Sequence, residues 1–121
     1  PLHRLLDAGT IGLRYPSING VEVTLPVMYV TSGPELVVFV GRSRDKTWWR
    51  HFGIRRPVDV WSGGAWQPTT AQAFGAGTPE HSAATAAYRT RHPRIRTSHD
   101  PVVLITIPVF PAAAPPGPAG G

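Results

Sequence analysis

A segment that mixes basic and aromatic residues, from position 41 to position 53, carries the side chains best suited to binding a charged ligand. It reads Gly-Arg-Ser-Arg-Asp-Lys-Thr-Trp-Trp-Arg-His-Phe-Gly and follows the most apolar run of the chain. This order predicts a turn and a short helix, with Ser43 or Asp45 as the N-cap and Gly53 at the end. Free backbone N–H groups at a helix N-terminus bind anions. The side chains that crowd this end are Arg42, Ser43, Arg44 and Lys46. The segment therefore predicts a site for a phosphate group.

Helical periodicity assigns the two tryptophans of this segment to different faces. A helix that begins near its aspartate places Lys46, Trp49 and Arg50 on one side. Trp48 and Phe52 then lie on the opposite side, so we expect Trp49 at the ligand and Trp48 in the core. Composition alone favours a plainer interpretation, in which a solvated basic face lies beside two packing tryptophans. The order of the surrounding elements favours the ligand site.

The composition is that of one small domain with excess positive charge. The chain has 121 residues, 41% of them hydrophobic, which is enough for one modest core. Its net charge of +5 is compatible with an anionic ligand or a nucleic acid. The absence of cysteine excludes disulfides and thiolate zinc sites. The five histidines lack metal-site spacing, so we expect each of them on the surface or in a loop, and no bound metal.

The sequence contains neither a signal-peptide pattern nor a run of apolar residues long enough to span a membrane. The resulting expectation is a cytoplasmic protein with no membrane partner.

Hydrophobic periodicity and turn residues predict a mainly β (α+β) chain. The expected helices end at Ala8, near Gly53 and near Arg91, and the expected strands span 11–15, 21–30, 36–40, 58–62, 65–74 and 102–107. Tight turns join several neighbouring strands, which indicates a largely antiparallel sheet, and six strands in so short a chain favour a small barrel. Residues 111–121 contain only Pro, Ala and Gly, which predicts a disordered tail after a domain of residues 1–110.

Three segments carry finer predictions. Alternation in the second strand predicts one buried face, and Pro26 predicts an edge strand or a bulge. That face holds Val21, Val23, Leu25, Val27 and Tyr29. The unbroken apolar run at 36–40 predicts a strand covered on both sides. Thr78, followed by Pro-Glu, predicts a helix N-cap. The inner face of this helix is expected to hold Ala84, Ala87 and Tyr88.

The order of elements, together with segments 20–30, 38–52 and 55–60, resembles the flavin and deazaflavin oxidoreductase family. Members of this family are split β-barrels related to pyridoxamine phosphate oxidase, and the chain is most similar to the deazaflavin-dependent nitroreductases of actinobacteria. The resemblance covers about residues 1–107. It implies a six-stranded antiparallel split β-barrel with two or three flanking helices.

The resemblance also implies a cofactor and a reaction. The cofactor would be the deazaflavin coenzyme F-420, or alternatively FMN, and it would transfer a hydride to a small organic acceptor such as a nitroaromatic or a quinone. The implied cofactor-binding residues are Gly41, Arg42, Ser43, Arg44, Lys46, Trp49 and Arg50. The implied substrate residues are Tyr88, His92 and Ile95. No catalytic side chain is assigned, because the cofactor carries the chemistry.

Two parts of the sequence depart from the family pattern. The family's Gly-Arg-Lys/Arg-Ser/Thr-Gly run before the second strand is replaced by residues 16–20, Pro-Ser-Ile-Asn-Gly, and a following arginine is replaced by Val23. A large part of the usual phosphate clamp is therefore absent, which leaves Arg42 and Lys46 to supply most of the positive charge. The tyrosines expected before the last strand are replaced by residues 92–99.

These departures keep other functions open. One alternative is a non-enzymatic or degenerate split barrel that binds a flavin or deazaflavin without catalysis. A small basic barrel that binds single-stranded nucleic acid ranks lowest, because the aromatic residues do not spread along one sheet face. A monomer and a homodimer remain equally compatible with the sequence.

Overall fold

Antiparallel pairing connects every neighbouring pair of strands in the sheet. A computed structural model of the chain, which describes residues 9–41, 43, 46–94 and 99–108, contains one sheet of seven strands. The strands are β1 (Thr10–Pro16), β2 (Glu22–Met28), β3 (Val30–Ser32), β4 (Glu35–Phe39), β5 (Arg56–Ser62), β6 (Ala65–Phe74) and β7 (Val102–Thr106). A 3-10 helix (Trp48–Gly53) follows β4, and helix α1 (Pro79–Arg91) follows β6. The sheet curls into a half-barrel, which confirms the expected split-barrel fold.

The strand order explains why the sheet curls and why it stays open. The order is β2-β1-β5-β6-β7-β4-β3, so the two outermost strands are consecutive in the chain and only Tyr29 separates them. Tyr29 is 4% exposed, and its backbone N–H donates to the carbonyl of Gly9. One residue can join opposite edges of a sheet only if the sheet bends until the edges meet. The edges meet at β2 and β3, and a split remains beyond this point, between β2 and β4.

This connection gives seven strands where the sequence predicted six. The predicted strand 21–30 changes partner at Tyr29, because β2 pairs with β1 and β3 pairs with β4. Pro26 lies on the edge strand β2, as predicted. The predicted buried face is only partly buried: Val27 and Tyr29 are buried, Val23 and Leu25 are half-buried, and Val21 is 64% exposed. The inward face of β2 is therefore accessible along the split.

Strand β4 is covered on both of its faces, as its unbroken apolar run predicted. Leu36 and Val38 of β4 point into the barrel, whereas Val37 packs in a second cluster with Ala84 and Tyr88 of α1. Helix α1 begins at the predicted cap: the Thr78 hydroxyl accepts a hydrogen bond from the backbone N–H of His81, at 3.1 Å. Ala87, expected on the inner face, is half-buried.

Two predictions about local structure are wrong. His81 is not a surface residue: it is 7% exposed, because its Nε2 atom and the carbonyl oxygen of Asp100 form a 2.8 Å hydrogen bond that satisfies the ring inside the fold. The short helix begins at Trp48 and is a 3-10 helix, because Lys46 and Thr47 precede it in non-helical structure. Lys46 therefore lies outside the helix that carries Trp49 and Arg50.

Several predictions fall outside the described residues. They are the helix ending at Ala8, the domain boundary at residue 110 and the tail 111–121. Within the described residues, neither helix is long and apolar enough to cross a bilayer.

Candidate functional site: a cleft at the split of the barrel

The loop that connects β4 to the 3-10 helix is held at both ends by hydrogen bonds. At one end, the backbone N–H and the hydroxyl of Ser43 both donate to the Oδ1 atom of Asp100, at 3.2 and 2.6 Å. At the other end, the indole N–H of Trp49 donates to the carbonyls of Lys46 and Ser43, at 3.0 and 3.3 Å. These bonds hold the backbone groups of Ser43 and Lys46 in place. They also occupy both Ser43 donors that the sequence assigned to a phosphate.

A cleft of about 520 Å³ lies between β2 and the end of β4. This volume is in the range typical of small-molecule sites. Its lining residues are Leu25, Pro26, Val27, Met28, Val38, Phe39, Val40, Gly41, Lys46, Trp48 and Tyr88. The walls are apolar, with Phe39, Trp48 and Tyr88 as aromatic groups. Among the described lining residues, Lys46 alone carries a charge, so the cleft suits a largely apolar ring with an anionic group.

Backbone groups add polar character to this apolar cleft. Strand β2 is the outermost strand of the sheet, and β3 pairs with β4 only from Glu35 to Val37. In the described sheet, Val38 and Phe39 therefore have no strand partner on the side of the cleft. An unpaired strand edge presents N–H and C=O groups in a row. A planar ligand with donors and acceptors on its rim can pair with such an edge.

The two tryptophans do not divide between core and ligand as predicted. Both are half-buried and pack against the barrel core. Trp48 lines the cleft, whereas the indole of Trp49 is bonded to the loop backbone. Trp48 therefore borders a cavity and is not enclosed in the core, whereas a contact of Trp49 with a ligand stays a prediction.

The predicted cofactor residues separate into four groups. Ser43 and Trp49 form hydrogen bonds with other protein groups, as described above. Gly41 and Lys46 line the cleft. Arg50 is exposed, its guanidinium carbon lies 5.5 Å from the centroid of the Trp49 ring, and it lines a different cavity. Arg42 and Arg44 lie outside the described residues.

Two of the three predicted substrate residues, Tyr88 and His92, lie at one end of the cleft. Tyr88 and Met28 line both the cleft and a smaller neighbouring cavity of about 140 Å³. His92 lines the smaller cavity, and its ring centroid is 5.1 Å from that of Tyr88. Ile95 lies outside the described residues. The structure thus brings Tyr88 and His92 together beside the proposed cofactor position.

A second large cavity, the hairpin groove, lies at the other end of the cleft. It has a volume of about 530 Å³ and is lined by Tyr15, Ser17, Ile18, Asn19, Val23, Thr47, Trp48, Arg50 and His51. Trp48 lines both the hairpin groove and the cleft. The three cavities therefore follow one another along β2: the groove at Val23, the cleft from Leu25 to Met28, and the small cavity from Met28 onwards.

Stacked rings form part of the hairpin groove. The rings of Tyr15 and His51 are stacked, with centroids 4.5 Å apart and an angle of 25° between their planes. Burial, and secondarily the charge of Arg56, lower the pKa of His51, so its imidazole is neutral near pH 7. Burial raises the pKa of the Tyr15 hydroxyl, which donates a 3.3 Å hydrogen bond to the carbonyl of Trp48.

Sequence reasoning missed most of the residues that line the cleft. It assigned Leu25, Val27, Val38 and Val40 to the core and Trp48 with them. Alternation of apolar and polar residues identifies the inward side of a strand. It does not show whether that side packs against another layer or faces an opening.

Comparison with known proteins finds similarity in fold to solved structures. No protein-family model matches the sequence, and no curated protein matches it significantly. A solved structure described as the FAD and heme binding protein from Mycobacterium smegmatis is similar, with 15% identity and a TM-score of 0.58. The match covers 88% of this chain and 66% of that chain, so this chain spans just under two-thirds of that protein. At this level of identity the likeness shows a common fold.

A second solved structure, described as a domain-swapped dimer, has 18% identity and a TM-score of 0.51. This match covers 85% of this chain and 92% of that chain. The half-barrel architecture is thus shared with a protein that binds FAD and heme and with one that forms a dimer.

Proposed function

We propose that this chain binds a flavin or deazaflavin in the cleft between β2 and β4 and acts as an oxidoreductase. The deazaflavin coenzyme F-420 and FMN are the cofactors that the sequence resemblance implies, and the reaction is hydride transfer to a nitroaromatic, a quinone or a similar small acceptor. The observation that carries the proposal is the cleft itself. It combines apolar walls, an indole, unpaired strand edges and one lysine in about 520 Å³.

The residues of the cleft fit the parts of such a cofactor. A tricyclic ring is planar and apolar on its faces, which suits Leu25, Val27 and Trp48. Its rim carries N–H and C=O groups, which suit the unpaired edges of β2 and β4. The phosphate suits Lys46, although a single exposed lysine is a weak clamp.

The side chains of the cleft would act by binding and positioning. A bound flavin or deazaflavin supplies the hydride chemistry of its ring. Apolar side chains along β2 and β4 exclude water from one face of the ring, and Lys46 offsets the negative charge of the phosphate. Tyr88 and His92 lie where an acceptor would enter, at the end of the cleft next to the small cavity.

Titration of the purified protein with riboflavin, FMN and the deazaflavin tests this proposal. Lys46→Gln is expected to weaken FMN binding about tenfold, because it removes a charge-assisted contact, and to leave riboflavin binding unchanged. Arg14→Gln is the matched control, because Arg14 is a cation next to a tryptophan on the outer face of the sheet. If the wild type binds none of the three compounds, the proposal is wrong.

A second candidate function, storage or transport of the cofactor without turnover, is favoured by the incomplete phosphate clamp at residues 16–20. Reoxidation of the bound, reduced cofactor by a quinone separates the two functions. An oxidoreductase accelerates reoxidation relative to free cofactor, whereas a storage protein slows it.

A further inference from the structure

The hairpin groove is a large cavity that the proposed flavin site does not use. It has a volume of about 530 Å³, and its accessible walls are apolar. Trp48 and Val23 are half-buried there, and Ile18, in the β1–β2 hairpin, is 85% exposed. Apolar side chains around open volume gain free energy when another apolar surface covers them. The groove therefore indicates an occupant that is apolar in part.

The polar side chains of the groove add hydrogen-bond donors. Ser17, Asn19, Thr47 and Arg50 can all donate, and no carboxylate is among the described lining residues. Such a groove suits an occupant with more acceptors than donors. A proline residue has a backbone carbonyl and no N–H, so a Pro-rich peptide has this excess. Peptides of this kind also bind in grooves that aromatic side chains line.

The chain itself contains a segment of this composition. Residues 111–118 read Pro-Ala-Ala-Ala-Pro-Pro-Gly-Pro and carry no charged side chain. They lie outside the described residues. The composition that predicts no packed fold for this segment also favours the extended polyproline conformation, in which the backbone carbonyls remain free to accept hydrogen bonds. A groove lined by donors and apolar side chains is complementary to such a segment.

The register of the sheet places the start of this tail at the same end of the barrel as the groove. Ala71 of β6 is opposite Arg56 of β5 on one side and opposite Ile105 of β7 on the other. Strand β1 is antiparallel to β5 and ends at Pro16, where the hairpin begins. The end of β7 and the β1–β2 hairpin therefore lie at the same end of the barrel.

The tail is long enough to reach the groove. Beyond β7 the chain still packs on the barrel: Ile107 contacts the core, its N–H donates to the carbonyl of Pro34 at 2.9 Å, and Pro108 is buried. In the sheet, β7 lies three strand spacings from β1, which is about 15 Å. A polyproline chain advances about 3.1 Å per residue, so residues 109–114 span roughly 19 Å. The prolines that follow can therefore lie in the groove.

We propose that the hairpin groove binds the Pro-rich segment of the same chain, residues 111–118. Its prolines contact Trp48 and Ile18, and its carbonyls accept hydrogen bonds from Asn19 and Arg50. This inference goes beyond the proposed function and does not depend on it, because the contact involves no flavin. The alternative occupant is the same segment of a second copy of the chain.

A spin label on the tail of the full chain tests the inference. The chain has no cysteine, so Ala114→Cys provides a single point of attachment. A linked segment acts at an effective concentration of about millimolar, so we expect the label to remove at least about half of the NMR intensity of the Asn19 amide and the Trp48 indole. Gly63 and Gly64, in the turn at the opposite end of β5, are expected to keep their intensity.

Three variants make the result specific. Pro115→Ser combined with Pro116→Ser keeps the length of the tail and is expected to restore the Asn19 and Trp48 signals. Ile18→Ser, at an exposed position where folding is not at stake, is expected to do the same. Val21→Ser is the matched control, since Val21 is a 64% exposed residue of the same hairpin that does not line the groove. Thermal denaturation of each variant verifies that it is folded.

A mixture of isotope-labelled chain without a spin label and spin-labelled chain without isotopes identifies the source of the segment. Unchanged signals in the mixture support a contact within one chain. A loss at Asn19 as strong in the mixture as in the doubly labelled chain would assign the segment to a second copy and overturn the proposal. Equal losses at Asn19 and Gly63, or no loss at either, would also overturn it. None of these results alters the test of flavin binding, so the two proposals fail separately.

Discussion

Two regions of the molecule contain a pair of tryptophans and an arginine, yet their surroundings differ. Beside the cleft, Trp48 and Trp49 lie near Arg50, which has no carboxylate partner among the described residues. On the outer face of the sheet, Trp61 and Trp66 pack edge-on with ring centroids 5.3 Å apart. There Arg14 covers the Trp66 ring at 4.3 Å and pairs with Asp59 at 3.1 Å.

The outer pair is packed against backbone, whereas the inner pair borders open space. Trp66 lies over Gly12, where a Cβ atom would come within 3.2 Å of Trp61 and 3.4 Å of Trp66. Trp48, in contrast, lines two cavities of about 520 and 530 Å³. Tryptophan and arginine together therefore do not identify a ligand site. Among the described residues, the inner pair differs from the outer pair by an arginine without a carboxylate partner and by the free volume beside Trp48.

The largest effect on stability is expected from a substitution beneath the inner pair of tryptophans. Phe52 is fully buried and packs edge-on against Trp48, Tyr15 and His51. Phe52→Ala should reduce the free energy of unfolding by about 3–5 kcal/mol. Loss of the phenyl ring leaves an empty space beneath the aromatic rings that line the cleft and the hairpin groove. Chemical denaturation measures the change. Phe52→Leu is the control, and it should keep much of the stability that the alanine variant loses. A decrease in the free energy of unfolding below about 1 kcal/mol for Phe52→Ala would show that the ring cluster does not depend on Phe52.

A smaller effect is expected at the outer pair. Gly12→Val should reduce the free energy of unfolding by about 1–3 kcal/mol, since the new side chain must displace Trp61 and Trp66. Gly75→Val is the matched control, because a Cβ atom there meets nothing within 4 Å. Flavin affinity should stay the same in both variants when it is measured below their unfolding temperatures. A selective loss of affinity in Gly12→Val would connect the outer face to the ligand site and remove the distinction between the two regions.

The smallest expected effect is a pH dependence of stability caused by His51, which lies beside the inner pair of tryptophans. Burial and Arg56 lower the pKa of His51 below its ordinary value of 6.5, so the unfolded chain binds this proton more readily than the folded chain. The stability contributed by His51 is therefore present above pH 6.5 and is lost as the pH falls through 6.5 towards the folded-state pKa.

Urea denaturation at several pH values between 7.5 and 5.5, a range of about one unit on either side of the ordinary pKa, measures this dependence. His51→Phe keeps an aromatic ring against Tyr15 and removes the titration, so its stability should decrease less over this range than that of the wild type. Identical pH profiles would mean that His51 titrates equally in the folded and unfolded chains.

The fold was predictable from the sequence wherever a local pattern decides structure. The Thr78 cap, the unbroken apolar run of β4 and the edge position of Pro26 all follow from side-chain chemistry. The change of strand partner at Tyr29 was not predictable, because the sequence carries no turn residue there. Strand pairing is a property of the whole sheet, and a local pattern does not contain it.

The candidate site was predictable only in part, because a local sequence pattern identifies some of its residues and not others. Gly41, Lys46 and Tyr88 were identified from the sequence, and the structure places them around one cleft. The role of Trp48 at the cleft was missed because its ring packs against the core, as helical spacing indicated, and also borders an opening that spacing does not encode. Trp48 lines both the cleft and the hairpin groove, and no sequence period encodes that position.

The indole N–H signals of the four tryptophans, followed by NMR during titration with riboflavin, test the central claim most directly. Single Trp→Phe variants assign the four signals. The proposed cleft site predicts that the Trp48 signal shifts with saturation, while the signals of Trp61 and Trp66 remain at their positions. Saturable shifts of the Trp61 or Trp66 signals with a constant Trp48 signal would place the flavin on the outer face and contradict the account.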